Sequence, residues 1–367
     1  MKNCDVRLLG FIAVMLMSLL LAGQSWASAI KLDVRPGQGV TGQGMISDYF
    51  APLKNTNLDT PIYYLDSGKP GATMLIMGGT HANELAGSVT ALLMVENFKI
   101  EAGRLIVMPY TNRSGLSVRD TRKGIKREHQ ITTRLGQRVL LYGDRRTDEF
   151  DQGAEDPDSY INPVGYELKN GKEARNLNRA YPGKADGTAT EQLAYAIIEM
   201  IKKEKIDLCI DYHEARTPDK KLNYDKEYGT GGGTSKAPLA YTLISHPRGI
   251  EVGAYALLGM EEDTNKSFRL EESNPSFRGL SHLEIGQATD CLSFISETPN
   301  PGQDKWRSNP DVINDKKYPL AHRVGMHLRI FYNLATSYSD LEGKAFSVNG
   351  LPGFDEIMKN DVGFYLN

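Results

Sequence analysis

The sequence predicts an α/β protein in which helices pack against a sheet. Short apolar runs bounded by glycine, proline or asparagine are typical of strands, and three of them occupy residues 61–67, 73–79 and 104–110. Segments with helical periodicity follow or separate these runs, and such alternation is typical of a layered α/β domain. The chain has 367 residues, 40% of them hydrophobic and 24% charged, a balance that suits a soluble globular domain with its own core.

Three helices are predicted, at residues 83–98, 188–204 and 319–336. The second has the strongest signals, because Thr188 and Glu191 form a capping box and apolar residues recur after them at helical spacing. The third starts at a proline, a residue that is favoured at the beginning of a helix, and it keeps its apolar residues on one face.

Two further apolar runs predict buried strands, and each has near its end a side chain that could bind a metal ion or accept a proton. The run at 206–215, IDLCIDYHEA, carries His213 near its end, and the run at 291–297, CLSFISE, ends in Glu297. Long polar stretches at 143–163 and 216–238 are expected to be surface loops, and long loops in a compact domain often frame a site.

The first 29 residues predict a secretory signal peptide. Lys2 and Arg7 precede an apolar run of about fifteen residues, and alanine and serine at 27–29 supply a small-residue cleavage site. The apolar run is short for a stable membrane span, and no second one follows. We therefore expect an exported protein, periplasmic or secreted, whose mature chain of residues 30–367 has no stable membrane span.

The charge of the chain bears on its partners, and its cysteines bear on whether a disulfide forms. The net charge is −3 and no long basic run accompanies it, which argues against a nucleic-acid partner. The most basic segment, 123–138, is expected to be solvated surface. After signal removal Cys209 and Cys291 remain, and they are expected either to form one disulfide or to stay as two buried thiols.

The segment HANE at 81–84 raises the possibility of a metal site. By chance alone, a histidine three residues before a glutamate appears in roughly two of five chains of this composition. The position is more informative, because His81 follows a strand and the pair is expected on the first turn of a helix, where residues three apart share one face. His213 and Glu297 also lie at strand ends. A catalytic zinc ion binds three protein nitrogen or oxygen ligands and leaves one position for water, and His81, Glu84 and His213 can supply the three. Glu297 would then be free to accept a proton from that water.

Four segments in this order resemble the motifs of the zinc carboxypeptidase superfamily, which includes the succinylglutamate desuccinylase/aspartoacylase deacylases. They are HANE at 81–84, NLNRAYPG at 176–183, DYHE at 211–214 and SETP at 296–299. The resemblance implies a single catalytic domain, with its core at about residues 60–337, of three α/β/α layers around a mixed, mostly parallel sheet. It also implies one zinc ion per chain held by His81, Glu84 and His213, with Glu297 as general base and later proton donor, and with Asn178 and Arg179 holding a substrate carboxylate.

The chain also departs from the carboxypeptidase pattern. Asn83 stands where those enzymes have arginine and the deacylases have asparagine. Asn176 replaces an aspartate that orients a zinc histidine, and an amide can accept that hydrogen bond without adding charge. No tyrosine lies between Tyr255 and Tyr318, where a substrate clamp is expected, and His282 in that loop is either a substitute or structural.

The resemblance further implies an arginine that polarises the scissile carbonyl. Four residues between the strand at 104–110 and the NLNR motif are candidates: Arg119, Arg122, Arg145 and Arg146. Arg145 and Arg146 are favoured because they begin a long loop near the motif.

Three functions are compatible with these residues. The favoured one is a metallocarboxypeptidase acting on peptides or murein peptides, because the long Glu84–His213 spacing, the terminal helix and export resemble that branch. A deacylase of N-acyl amino acids is the alternative, supported by HANE and NLNR. A non-catalytic exported binding module is the third, and Glu297 argues against it because a relic site has no need of a base. Either enzyme would take a small molecule or peptide with a free carboxylate.

Overall fold

The centre of the molecule is an eight-stranded sheet, seen in a computed structural model that describes residues 30–119, 124–219 and 238–367. All strands of the described chain, including those of three small two-stranded sheets, are β1 Gly42–Met45, β2 Pro61–Asp66, β3 Thr73–Met77, β4 Lys99–Ala102, β5 Arg104–Met108, β6 Glu128–Thr133, β7 Gly136–Leu141, β8 Tyr160–Ile161, β9 Glu167–Leu168, β10 Leu208–Ala215, β11 Thr242–Ser245, β12 Arg269–Glu272, β13 Leu292–Pro299 and β14 Ser347–Asn349.

The strand order in the main sheet is β1-β2-β5-β3-β10-β13-β11-β12. Strands β5, β3, β10 and β13 run parallel to one another, whereas β1 and β2 on one side and β11 on the other are antiparallel to their inner neighbours. The sheet is therefore mixed, and its central four strands direct their carboxyl ends to one edge.

Seven α-helices accompany the sheet within the described residues: α1 Leu85–Asn97, α2 Glu149–Gln152, α3 Ala189–Glu204, α4 Ile250–Thr264, α5 Ser281–Ala288, α6 Leu320–Glu342 and α7 Phe354–Asn360. Helix α3 and the strands share one buried apolar cluster, which includes Ile197 and Ile201 of the helix and Leu75 and Ile106 of β3 and β5. Helices α1 and α6 contact each other, and α1 also contacts β10 while α6 contacts β13. The α/β class with three layers, expected from the sequence, is what the structure shows.

All of the strands and helices expected from the sequence are present, with shifted ends. The capping box is formed as expected, since Thr188 caps α3 and the Glu191 carboxylate accepts from its backbone N–H. The third helix continues six residues past the expected end, to Glu342. The first helix begins at Leu85 rather than at residue 83, so the expectation that His81 and Glu84 share its first turn was wrong.

The basic segment 123–138 is not simply solvated surface, and that expectation was wrong for its described part. Residues 128–141 form a hairpin in which His129 and Ile131 are buried on one face. The Arg138 side chain is fully buried and its guanidinium lies 2.8 Å from the Glu96 carboxylate, because a buried charge needs a partner of opposite sign. A strand's alternation of inward and outward side chains hides this pattern among charged residues.

Some expectations concern residues that the structure does not describe. The signal peptide at 1–29, Arg122 and most of the stretch at 216–238 lie outside the described residues. From Leu32 onward the chain forms one compact unit. Within the described ranges, none of the helices has both the length and the apolar character needed to cross a membrane.

The two cysteines lie in adjacent parallel strands or just before them and are both free and buried. Cys209 is in β10, and Cys291 immediately precedes β13. Burial raises the pKa of both thiols, with the neighbouring Cys291 adding to the effect on Cys209. Of the two expected states, the structure has the pair of buried thiols.

His327, on the face of α6 that contacts β13, makes stability depend on pH. Its ring nitrogens lie 2.9 Å from Ser296 Oγ and 3.2 Å from Thr298 Oγ1, and burial lowers the pKa of the ring to about 3, with Arg323 adding to the shift. An unfolded histidine has a pKa of about 6.5. Between these values the unfolded chain binds the extra proton, so stability is present above pH 6.5 and is lost as the pH falls.

The expected result is that His327→Gln costs less stability at pH 5 than at pH 7. The difference should be about 2 kcal/mol. At pH 5, which is about 1.5 units below the pKa of the unfolded histidine, protonation of the unfolded wild type lowers its free energy of unfolding by about 1.4 kcal/mol per unit. Urea unfolding of the wild type and the variant at both pH values measures it. An equal cost at both pH values would contradict a neutral, buried His327.

Candidate metal centre and active site

Three side chains meet at the carboxyl edge of the central strands. His81 follows β3, Glu84 is the residue before α1, and His213 lies near the end of β10. Gly79 makes the turn possible: its φ is +69°, and a Cβ there would lie 2.5 Å from Ser88 Oγ. One ligand atom from each of the three residues lies within 4.8 Å of the others, and all three side chains are buried.

The ring nitrogens and the carboxylate point toward one another. The Nδ1 atom of His81 lies 2.8 Å from Glu84 Oε1, and the Nδ1 atom of His213 lies 2.8 Å from Glu84 Oε2. The two rings are packed edge to face with centroids 4.6 Å apart. The three residues that the sequence singled out as ligands are therefore brought together, with their donor atoms facing a common point.

Each histidine also has an acceptor for its other ring nitrogen. The Nε2 atom of His81 lies 2.9 Å from the side-chain oxygen of Asn176, and that of His213 lies 3.0 Å from Asp211 Oδ2. Asp211 in turn accepts from the hydroxyls of Thr80 and Ser281. Metal-binding histidines usually donate their second N–H in this way, which frees the first nitrogen as a ligand. The donor set thus fits a divalent cation such as zinc.

The electrostatics of the cluster favour positive charge at its centre. Burial alone would raise the pKa of Glu84, but His81 and His213 more than offset it and hold that pKa below its usual range. Burial lowers the pKa of His81. For His213 burial has the same sign, yet the carboxylates of Asp211 and Glu84 outweigh it and raise the pKa. A buried carboxylate between two imidazoles is chemically suited to bind a cation.

Glu297 lies beside this cluster, on the neighbouring strand β13. In the parallel pairing of β10 with β13 it is directly opposite His213. Its Oε2 atom is buried and has no hydrogen-bond partner among the described residues. Burial, with the nearby carboxylates of Glu84 and Asp211, raises its pKa to about 8, although His213 and Arg145 act in the other direction. A buried carboxyl group with a raised pKa is suited to accepting and returning protons.

Asn178 and Arg179, the residues expected to hold a substrate carboxylate, lie on a short 3₁₀ turn at the same edge. The side-chain oxygen of Asn178 accepts from the Ser281 backbone N–H at 2.8 Å, and its nitrogen is 3.5 Å from His213 Nε2. The Arg179 guanidinium lies 5.0 Å from the centre of the Phe277 ring. Burial lowers the pKa of Arg179 to about 10, which leaves it charged at neutral pH.

The structure distinguishes among the arginine candidates. Arg146 is paired, with Nη2 2.8 Å from the Glu173 carboxylate, and the Nε atoms of Arg145 and Arg146 are both buried without a hydrogen-bond partner among the described residues. The charge of Arg145 also lowers the pKa of His81 and the pKa of Glu297. Arg119 is exposed. Arg145 is therefore the better placed of the two favoured candidates.

Two residues near the site were missed from the sequence, and one was placed in the wrong type of element. Asp211 could have been found, because residues two apart in a strand share a face and it precedes His213 by two. Glu173, which contacts Arg146 and Asn176, has no comparable sequence signal. His282 lies in the first turn of α5 rather than in a loop, fully buried, with its carbonyl accepting from Ser293 Oγ.

No family model and no curated protein sequence matches this chain. Among solved structures it is similar to a succinylglutamate desuccinylase from Silicibacter sp. TM1040, with 15% identity over 75% of this chain and 60% of that one and a TM-score of 0.42. It is also similar to a succinylglutamate desuccinylase/aspartoacylase from Rhodobacter sphaeroides, with 15% identity over 86% and 69% of the two chains and a TM-score of 0.44.

A further similar structure is Csd4 of Helicobacter pylori, described as a D,L-carboxypeptidase and solved with bound mDAP, with 14% identity over 79% of this chain and 56% of that one and a TM-score of 0.42. The chain spans about 60% of the length of the first of these proteins. At such identities the likeness concerns the fold.

Proposed function

We propose that this protein is a zinc-dependent hydrolase that cleaves an amide bond next to a free carboxylate. One observation carries the proposal: His81, Glu84 and His213 direct their donor atoms to a common point, and Glu297 lies opposite His213 with an unpartnered carboxylate oxygen. Three nitrogen or oxygen ligands that leave a coordination position open, with a carboxylate beside them, are the usual composition of a hydrolytic zinc site.

The protein's own residues divide the work of such a reaction. Bound zinc would supply Lewis-acid chemistry, lowering the pKa of water and polarising a carbonyl oxygen. Glu297 takes the proton of the attacking water and later returns it to the leaving amine. Arg145 stabilises the negative charge that develops on the carbonyl oxygen. Arg179 holds the substrate carboxylate with paired hydrogen bonds, and Asn178 assists it.

The substrate is proposed to be a peptide from which a C-terminal residue is released, with murein-derived peptides as a plausible class. The expected signal peptide at 1–29 supports this choice, because peptides and cell-wall stem peptides lie outside the cytoplasm, whereas acyl-amino-acid breakdown is usually internal. Export itself is part of the proposal. N-terminal sequencing of the protein recovered from the periplasm or medium tests it, and a mature chain that starts near Ile30 is the expected result.

One assay tests both the reaction and the substrate class. The zinc-loaded protein is incubated with a mixed peptide library and, separately, with N-acetyl-aspartate and N-succinyl-glutamate, and mass spectrometry identifies the products. Loss of single C-terminal residues from peptides is expected. Cleavage of the acyl-amino acids alone would replace the carboxypeptidase proposal with the deacylase one. Zinc binding without any hydrolysis would favour an exported binding module.

Arg145 and Arg146 give a matched pair of variants for the proposed carbonyl contact. Arg145→Gln is expected to lower kcat/KM by about 10²–10³-fold, the usual cost of removing one donor to a developing oxyanion. Arg146→Gln removes the same charge one residue away, and a change of less than about tenfold is expected because its guanidinium is engaged by Glu173. Steady-state kinetics on one peptide measures both, and the reverse order of effects would assign the contact to Arg146.

A further inference from the structure

Glu173 lies between the arginines on the substrate side and the histidine on the metal side. Its Oε1 atom accepts from Arg146 Nη2 at 2.8 Å, and its Oε2 atom accepts from Asn176 Nδ2 at 2.7 Å. The Nε atom of Arg179 is 3.7 Å from the same Oε2. The side chain is only 14% exposed. This carboxylate therefore contacts two arginines on the substrate side and Asn176 on the side of His81.

Asn176 connects that carboxylate to the candidate metal ligand His81. Its side-chain nitrogen donates to Glu173, and its side-chain oxygen lies 2.9 Å from His81 Nε2. The same oxygen also accepts from the Asn178 backbone N–H at 3.1 Å. Because the carboxylate can only accept, it fixes which end of the amide faces His81.

The charge on Glu173 is secure at neutral pH. Burial would raise its pKa, but the guanidinium groups of Arg179, Arg145 and Arg146 outweigh burial and lower that pKa to about 2. An ionised carboxylate that accepts from an amide N–H polarises the amide, and its oxygen becomes a stronger acceptor. The neutral Asn176 therefore presents His81 with more negative charge than an isolated amide would.

We infer that Glu173 is a positioning residue that acts through Asn176 to orient and strengthen His81 as a metal ligand. The chain would then supply, two hydrogen bonds away, the negative charge that an aspartate at position 176 would supply directly. The inference rests on the metal site of the proposed function. Its expected size follows from outer partners of metal ligands, whose loss typically lowers metal affinity by about 10–100-fold.

Two variants separate a role of charge from a role in holding the loop. In Glu173→Gln the new side chain can still accept from Arg146, but its NH₂ group faces the NH₂ group of Asn176, and the amide must turn away from His81 or lose a bond. In Glu173→Gln/Asn176→Asp that NH₂ group has a carboxylate to donate to, and His81 again faces a negative acceptor. Zn²⁺ affinity of the metal-free proteins is measured by competition with a chromogenic chelator.

The expected results are a Zn²⁺ affinity about tenfold or more below wild type for the single variant, and recovery to within about threefold in the double variant. Glu149→Gln is the matched control, because Glu149 pairs with Arg175 in the same region with its side chain 69% exposed. Its Zn²⁺ affinity should equal that of the wild type.

Each other outcome is informative. A folded Glu173→Gln that binds Zn²⁺ as the wild type does overturns the inference alone. A folded single variant with low affinity that the double variant does not recover also overturns it, because the loop rather than the charge is then decisive. If circular dichroism shows the single variant unfolded, the double variant decides: folding with near wild-type affinity supports the inference, and failure rejects it. Wild-type protein that binds no Zn²⁺ rejects the metal site as well.

Discussion

Replacing Glu297 with glutamine is expected to lower turnover by at least about 10²–10⁴-fold and to leave zinc content unchanged. Glutamine has nearly the same shape but cannot accept a proton from water, so the loss reports proton transfer rather than packing. Glu297 is not one of the three clustered donors, which is why the metal should stay. Single-turnover kinetics on a peptide substrate, with zinc measured by mass spectrometry on the same sample, gives both quantities.

The same variant has an opposite expected effect on the stability of the metal-free protein. Ionising a buried carboxyl group whose pKa is raised to about 8 is unfavourable, and the unfolded glutamate ionises near 4.5. Above pH 4.5 the wild type therefore loses stability with rising pH, until the folded group also ionises near pH 8, and the variant does not. Glu297→Gln should gain stability relative to wild type between pH 5 and pH 9. In the kinetic experiment, a turnover of Glu297→Gln within about tenfold of the wild type would show that another residue is the base.

Replacing His213 with alanine is expected to abolish stable zinc binding and, with it, hydrolysis. The variant removes one of three donors and leaves Glu84 with one imidazole neighbour instead of two. It also leaves Asp211 buried without the ring nitrogen it faces. Zinc content after dialysis against a weak chelator should fall from about one ion per chain to below about a tenth.

His129→Gln is the control for this experiment, because it removes a buried histidine of the hairpin at 128–141 whose ring hydrogen-bonds to the Lys126 carbonyl and which is not one of the three clustered donors. It should retain zinc and activity. Full zinc occupancy and activity in His213→Ala would remove that residue from the ligand set.

The parts of the fold that the sequence predicts are those with local signals. The strand at β10 follows from its uninterrupted apolar run, and α3 follows from its capping box and period. The hairpin at 128–141 has no such run: its buried residues alternate with polar and charged ones, and Arg138 lies in the interior because the carboxylates of Glu96 and Asp33 pair with it there. These ion pairs join residues that are distant in the sequence, so no local pattern predicts them.

The candidate site divides in the same way. Strand ends locate His81, His213 and Glu297 on one edge, because parallel neighbours direct their carboxyl ends together. The register that sets His213 opposite Glu297 depends on how β10 and β13 pack, which the sequence leaves open. Glu173 is further removed still, since its contacts arise from the path of the chain at 171–179 and no motif marks it.

The reactivity of the two buried thiols measures how often the central strands of the sheet separate. A thiol reacts as thiolate, and Cys209 and Cys291 are each 1% exposed with raised pKa values, so alkylating reagents should reach them only in molecules whose central strands have separated. Labelling rates then report the free energy of that opening. A metal ion held by the proposed ligands would link β10 to the turn after β3, so zinc should slow the labelling of Cys209, without any substrate being needed to observe it.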